Sequence, residues 1–215
     1  MSSKSPENMR IFPNKLRYSV LNALNPLGTF LLHLHFTPNM ITFLALVFGL
    51  VAGILFAINH PFWASILIVF CGLFDILDGK VAAKANNQSL FGSIFDSSLD
   101  RYSEFFIYLG LAIHFHKHWA LWIIFFTFLG STMVSYTRAR AEGLGIECKI
   151  GFMQRAERMV LLFTGAFIGA LFNIFDPLII GVLVIIAIFS NITAFQRIFY
   201  VRKVEKQLKF KKEVS

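Results

Sequence analysis

Four stretches of the chain, residues 40–58, 119–136, 159–175 and 178–195, run for 17 to 19 residues each without one Asp, Glu, Lys or Arg. A helix needs about 17–25 mostly apolar residues to cross the hydrocarbon core of a bilayer. Each stretch is long enough to span. Composition agrees: 56% hydrophobic residues, 26 Phe and 15% charged residues in 215 exclude an ordinary soluble domain and an intrinsically disordered chain.

Two further segments, residues 62–83 and 90–115, are spans only if Asp75, Asp78, Asp96, Asp100 and Arg101 are accepted near their facing ends. With six spans, the connections around residues 59–61, 116–118 and 173–176 share one side and hold one of the 20 Lys and Arg, leaving 19 on the other. The positive-inside rule then puts both termini, the 84–89 turn and the 138–158 connection in the cytoplasm. The net charge of +8 thus reports topology and calls for no nucleic-acid partner.

The expected fold is all-α integral membrane: a six-transmembrane-helix bundle, residues 37–200, preceded by an N-terminal amphipathic interfacial helix within residues 1–36 and followed by a basic cytoplasmic tail, residues 201–215. In the first segment Leu16, Val20, Leu24, Leu27, Leu31 and Leu34 recur at helical spacing, interrupted by Pro26, with Lys15 and Arg17 in the headgroups. Thr37-Pro38 supplies a cap and a first-turn proline for the first span. The tail anchors to anionic lipid heads. No removable signal precedes the spans. Cys71 and Cys148 form neither a disulfide framework nor a CxxC site. His114, His116 and His118, like Trp63, Trp119 and Trp122, read as interfacial residues.

The acidic residues carry the chemistry. Asp75 and Asp78 are three apart and Asp96 and Asp100 four apart, so each pair shares a helix face. Across the turn centred near Asn87 they form two tiers, Asp78 with Asp96 and Asp75 with Asp100, the deeper about 12 Å from the turn. Each acidic residue in a span costs about 2.5–3.5 kcal/mol, so a cation must offset them: a hard divalent ion on all four Asp, or Lys80, Lys84 or Arg101. Gly79, Ala82, Ala83 and Gly92 leave room for a helix or a ligand. Beside four carboxylates a phosphate ligand fits better, and metal, phosphate and a spare carboxylate suit displacement at phosphorus.

The string Asp75-x-x-Asp78-Gly79-x-x-Ala82, then Gly92-x-x-x-Asp96-x-x-x-Asp100, resembles the signature of the CDP-alcohol phosphatidyltransferase family over residues 37–197. Seven of eight fixed positions match; Ala83 stands where the family has Arg. The resemblance implies that Asp75, Asp78 and Asp96 hold Mg²⁺ or Mn²⁺ and the CDP diphosphate. Gly79, Ala82 and Gly92 then face the nucleotide, and Lys84 or Lys80 supplies the charge of the missing Arg. Asp100 deprotonates the acceptor alcohol for attack on the donor's β-phosphate, releasing CMP.

It further implies CDP-diacylglycerol or a similar CDP-linked lipid as donor, surrounding membrane lipids, a homodimer, and the cell membrane of a bacterium or archaeon. The segments 96–104, 135–143 and 155–158 resemble the branch that uses inositol phosphate or a related polyol phosphate. Arg138, Arg155, Arg158 and Arg197 are the candidate ligands for that acceptor's phosphate, since Arg matches phosphate oxygens best. Cytoplasmic loops collect Arg for topology alone, and Arg138–Glu142 is also an ordinary i,i+4 pair. Glycerol 3-phosphate as acceptor, an intramembrane prenyltransferase, a cation transporter and an inactive relative are the rival readings.

Overall fold

Apolar runs without a strand period leave the helix as the way to pair every backbone group. The computed structural model describes residues 23–84 and 89–214 and is helical without strands among them. Among the described residues seven helices follow one another: α1 (Asn25–His33), α2 (Pro38–Ala57), α3 (Pro61–Lys84), α4 (Leu90–His114), α5 (Ala120–Gly143), α6 (Arg155–Leu171) and α7 (Phe175–Val214). The last six correspond to the six expected segments, with α6 shifted to Arg155–Leu171 from the expected 159–175, so that Phe175 opens α7. Two run further: α5 continues through Arg138 and Arg140, and α7 carries the basic tail as one uninterrupted helix, so the expected boundary at 200/201 falls inside it. Leu16, Val20, Lys15 and Arg17 lie outside the described residues, as does the 85–88 part of the turn. Pro26 sits in the first turn of α1, which begins directly after the turn residue Leu24 that separates it from the helical Ala23.

Local chemistry sets the ends. Thr37 Oγ1 accepts from Met40 N at 3.4 Å ahead of Pro38, and Ser89 Oγ accepts from Gly92 N at 2.9 Å. α1, α2 and α6 stop at left-handed residues, His35, Asn59 and Asn173, with φ of 59°, 62° and 55°. Each is followed by the return bond of a Schellman cap, such as His60 N to Leu55 O and Ile174 N to Gly169 O, both 2.8 Å.

The helices close into a ring. α2 lies between α3 and α4, α6 packs on α3 and α7, and α7 packs on α5. α2 and α4 meet backbone to backbone: a Cβ on Gly110 would stand 2.0 Å from Gly53 O, and one on Gly53 2.1 Å from Phe106 O. Small residues permit this approach. Because both flank α2, α3 and α4 scarcely touch each other, and the gap between them is where the carboxylates gather. Phe56, Ile68, Leu111, Ile124, Leu162 and Ile179 fill the interior, while Phe43, Ile54, Phe125, Phe126 and Phe195 point outward, exposed.

Such an apolar exterior belongs in lipid. Among the described residues three helices, Pro38–Ala57, Ala120–Gly143 and the Phe175–Phe210 part of α7, are long and apolar enough to cross a membrane. α3 and α4 carry the charged residues of the site, and α6 is only 17 residues long.

Candidate active site

The face-sharing of Asp75 with Asp78 and of Asp96 with Asp100 is realised across the gap between α3 and α4. Asp75, Asp78 and Asp96 each present a carboxylate oxygen, and the three oxygens lie within 4.8 Å of one another. Asp78 is buried, its Oδ2 2.7 Å from Thr42 Oγ1 of α2. Asp96 Oδ1 is buried without a hydrogen-bond partner. Buried carboxylate oxygens are costly unless a cation or donor meets them. An oxygen-only set at this spacing fits Mg²⁺ or Mn²⁺.

Asp100 stands outside that set of three. Its Oδ2 is 2.8 Å from Arg155 Nη1, and the same nitrogen is 2.6 Å from Asp75 Oδ2. The countercharge of the deeper tier therefore comes from α6. Arg155 Nε and Nη2 are buried without partners among the described residues. Lys84, expected at the donor diphosphate, is turned onto α1 instead: its Nζ donates to Asn25 O at 3.0 Å and Thr29 Oγ1 at 2.6 Å. Lys80 Nζ donates to Asn25 Oδ1 at 2.7 Å. Both lysines tie α1 to α3.

Of the small residues, Gly79 has no atom within 4 Å of where a Cβ would sit, so one side of α3 is open beside the carboxylates. Ala82 is half-buried and Ala83 exposed. Gly92 serves the capping turn, since a Cβ there would come 3.0 Å from Ser89 Oγ.

The four candidate phosphate ligands separate. Arg155 is in the cluster. Arg138 Nε pairs with Glu142 Oε1 at 2.8 Å on the surface of α5, a contact worth little. Arg158 has all three of its nitrogens engaged. Its Nε and Nη2 meet Glu104 Oε1 and Oε2 at 2.7 and 2.8 Å, and Nη1 donates to Met153 O at 3.4 Å. Arg197 Nε donates to Ile150 O at 2.9 Å and Nη1 to Val134 O, strapping the 144–154 connection to α5 and α7. Thr193 Oγ1 completes the strap by accepting from Met153 N at 3.2 Å. Gly151, with φ of 115°, lies against Thr193, where a Cβ would be 2.2 Å from Cγ2.

Sequence reasoning missed Thr42, Glu104 and Tyr108. Thr42 is one hydroxyl in an apolar run and gives no signal. Glu104 did signal, being four residues from Asp100 on the same face. At the opposite end, His114 Nε2 pairs with Asp176 Oδ1 at 2.8 Å, while His116 Nδ1 meets Ile113 O.

The sequence profile of the CDP-alcohol phosphatidyltransferase family matches residues 35–196. An archaetidylinositol phosphate synthase of Pyrococcus horikoshii is 35% identical over 191 residues, 88% of this chain and 96% of the relative. A phosphatidylinositol phosphate synthase of Mycobacteroides abscessus is 30% identical over 191 residues, 86% of either chain. The crystal structure of phosphatidylinositol phosphate synthase from Mycobacterium tuberculosis with CDP-DAG bound superposes with a TM-score of 0.75 at 28% identity, covering 82% of this chain and 92% of that one. The same enzyme with manganese and citrate gives 0.74 at 28% identity, covering 82% and 87%.

Proposed function

This chain belongs to the CDP-alcohol phosphatidyltransferase family, and we propose that it moves the phosphatidyl group of CDP-diacylglycerol, or of a similar CDP-linked lipid, onto inositol phosphate with release of CMP. The observation that carries the acceptor is Arg155. One nitrogen holds Asp75 and Asp100, while Nε and Nη2 are buried without partners. A phosphate on those two donors sets the acceptor's free hydroxyl toward Asp100. The relatives named above, both inositol phosphate lipid synthases, support the same choice.

Asp100 takes the proton of the acceptor hydroxyl, and that oxygen attacks the donor's β-phosphorus. The bond from this phosphorus to the oxygen bridging the two phosphates breaks, and CMP leaves with the electron pair. Mg²⁺ or Mn²⁺ on Asp75, Asp78 and Asp96 would neutralise charge developing on the diphosphate. Thr42 holds Asp78 in place, and the open side of Gly79, with Ala82 and Gly92 beyond it, receives the nucleotide. Arg138, half-exposed and paired with Glu142 toward the end of α5, is the second candidate cation for the acceptor's phosphate.

In this reading α2 to α7 all cross the membrane, with the carboxylates in the cytoplasmic half, both termini cytoplasmic, α1 on the leaflet surface and two chains paired as a homodimer. The 19 cations on one side of the six-span arrangement support the orientation. The test is CMP release by purified protein in lipid with CDP-diacylglycerol, Mg²⁺ or Mn²⁺, and inositol phosphate, glycerol 3-phosphate, serine or inositol in parallel. Release with inositol phosphate alone is the expected result. Release only with another acceptor overturns the choice of inositol phosphate, and silence with all four overturns the reading.

A further inference from the structure

Two ion pairs cross the bundle from α6 to α4, one helical turn apart. Asp100 and Glu104 are four residues apart on α4, and Arg155 and Arg158 three apart on α6, so the pairs stack as rungs. The rung Arg155–Asp100 has side chains 21% and 14% exposed; the rung Arg158–Glu104 is sealed, at 1% and 5%. The sealed rung also reaches outward. Tyr108 OH lies 3.4 Å from Glu104 Oε1 and 3.3 Å from Ser131 Oγ of α5, and Arg158 Nη1 holds the carbonyl of Met153, two residues before Arg155.

The helix packing explains why such a rung is needed. α6 lies along α3 and α7 and makes no extended contact with α4, so interdigitating side chains do not set its height against α4. Long side chains bridging the interior must do so. A fork-to-fork Arg–carboxylate pair is well suited, because two parallel bonds fix distance and angle together. A buried pair contributes little net stability compared with apolar packing, which leaves geometry as its contribution.

We propose that Glu104 is a positioning residue for the transfer reaction: its bidentate pair with Arg158 sets the start of α6 against α4 and so holds Arg155 on Asp75 and Asp100. The proposal rests on the reading of Arg155 and Asp100 given above, but its first test does not need turnover. Arg155 shares Asp75 with the cation site, so loosening it should tighten cation binding. The measurement is Mn²⁺ affinity of the full chain in detergent or lipid, without substrates, read by electron paramagnetic resonance. Glu104→Met with Arg158→Met removes both charges at similar volume and leaves neither unpaired.

The paired change should raise Mn²⁺ affinity about fivefold, the scale of losing one competing charge at a partly exposed site. Arg155→Met should do the same, and the two together should give no more than either alone. A merely structural pair would lower the folded fraction and leave the affinity of the folded protein unmoved. In turnover, the paired variant should raise the acceptor KM about tenfold with the donor KM unchanged, as expected for a displaced guanidinium.

Glu104→Asp, which keeps the charge and shortens the reach by one methylene, carries the same cycle if the paired variant does not fold. Wild-type Mn²⁺ affinity in a folded variant, or effects that add to those of Arg155→Met, overturn the proposal. Absence of CMP release from the wild type would instead overturn the acceptor reading and leave the Mn²⁺ cycle to decide this one.

Discussion

Arg155 and Arg158 are the same side chain on the same helix, three residues apart, each on a carboxylate of α4, yet they differ in how many donors are in use. Arg158 has Glu104 on two nitrogens and a backbone carbonyl on the third. Arg155 has both its carboxylates on one nitrogen and leaves two nitrogens buried and unpartnered. The first arrangement is complete without a ligand; the second is not. Under the proposed reading, partner satisfaction, more than residue type or position, separates the group that holds the bundle from the one that meets substrate.

Substitutions can break that contrast at several points. The largest effect is expected at Asp100→Asn, which removes the proton acceptor and leaves Asp75, Asp78 and Asp96 intact. CMP release should fall by about 10²–10⁴, while CDP-lipid binding, followed by equilibrium dialysis or fluorescence, persists. Full turnover in this variant would remove Asp100 from the role of base.

Next comes the sealed rung. Arg158→Met alone strands Glu104 as an unpaired buried charge and should cost about 3–5 kcal/mol. That corresponds to a drop of about 10 °C in apparent melting temperature. Arg155→Met should act the other way round, with a smaller fall in melting temperature, because Asp75 and Asp100 are partly exposed where Glu104 is sealed, and acceptor KM raised about 10–100-fold, the range of a lost charge-assisted hydrogen bond. If the two variants were to trade these phenotypes, the distinction drawn from donor satisfaction would be wrong.

How much of this could be read from the sequence follows from what periodicity encodes. The six long helices were legible because apolar runs stop at strong punctuation: Thr37-Pro38 opens α2, Ser89 caps α4, and Asn59 and Asn173 end α2 and α6. The pairing of Asp75 with Asp78 and of Asp96 with Asp100 was legible because spacing fixes the face. Which residue faces which across the bundle was not. Arg158 and Glu104 are 54 residues apart, and nothing local distinguishes Arg158 from Arg155. Lys84 was assigned by adjacency to Ala83, but α1, brought alongside α3, offers it Asn25 O and Thr29 Oγ1.

Thr42 is the clearest case of a residue without a sequence signal, and it yields the next prediction. Its hydroxyl, 3.1 Å from Pro38 O and 2.7 Å from Asp78 Oδ2, fixes the orientation of a buried carboxylate. Thr42→Val keeps the volume and removes the donor. Groups that orient metal ligands typically matter about 10–100-fold in affinity. The expectation is the low end, about tenfold weaker Mn²⁺ binding, because Asp75 and Asp96 remain. Unchanged affinity would mean that α3 alone orients Asp78.

The smallest effect concerns Ala83, which is exposed, four residues from Gly79 and its open side. The family resemblance places a guanidinium here for the donor's diphosphate, and Lys84 is occupied by α1. Ala83→Arg therefore adds a cation on the donor side without disturbing Arg155 on the acceptor side. The donor KM should fall about threefold, the scale of one solvent-screened charge, and the acceptor KM should not move. A fall in acceptor KM instead would show that the two sides share their cations. The separation between a donor half on α3 and an acceptor half on α6 would then have to be abandoned.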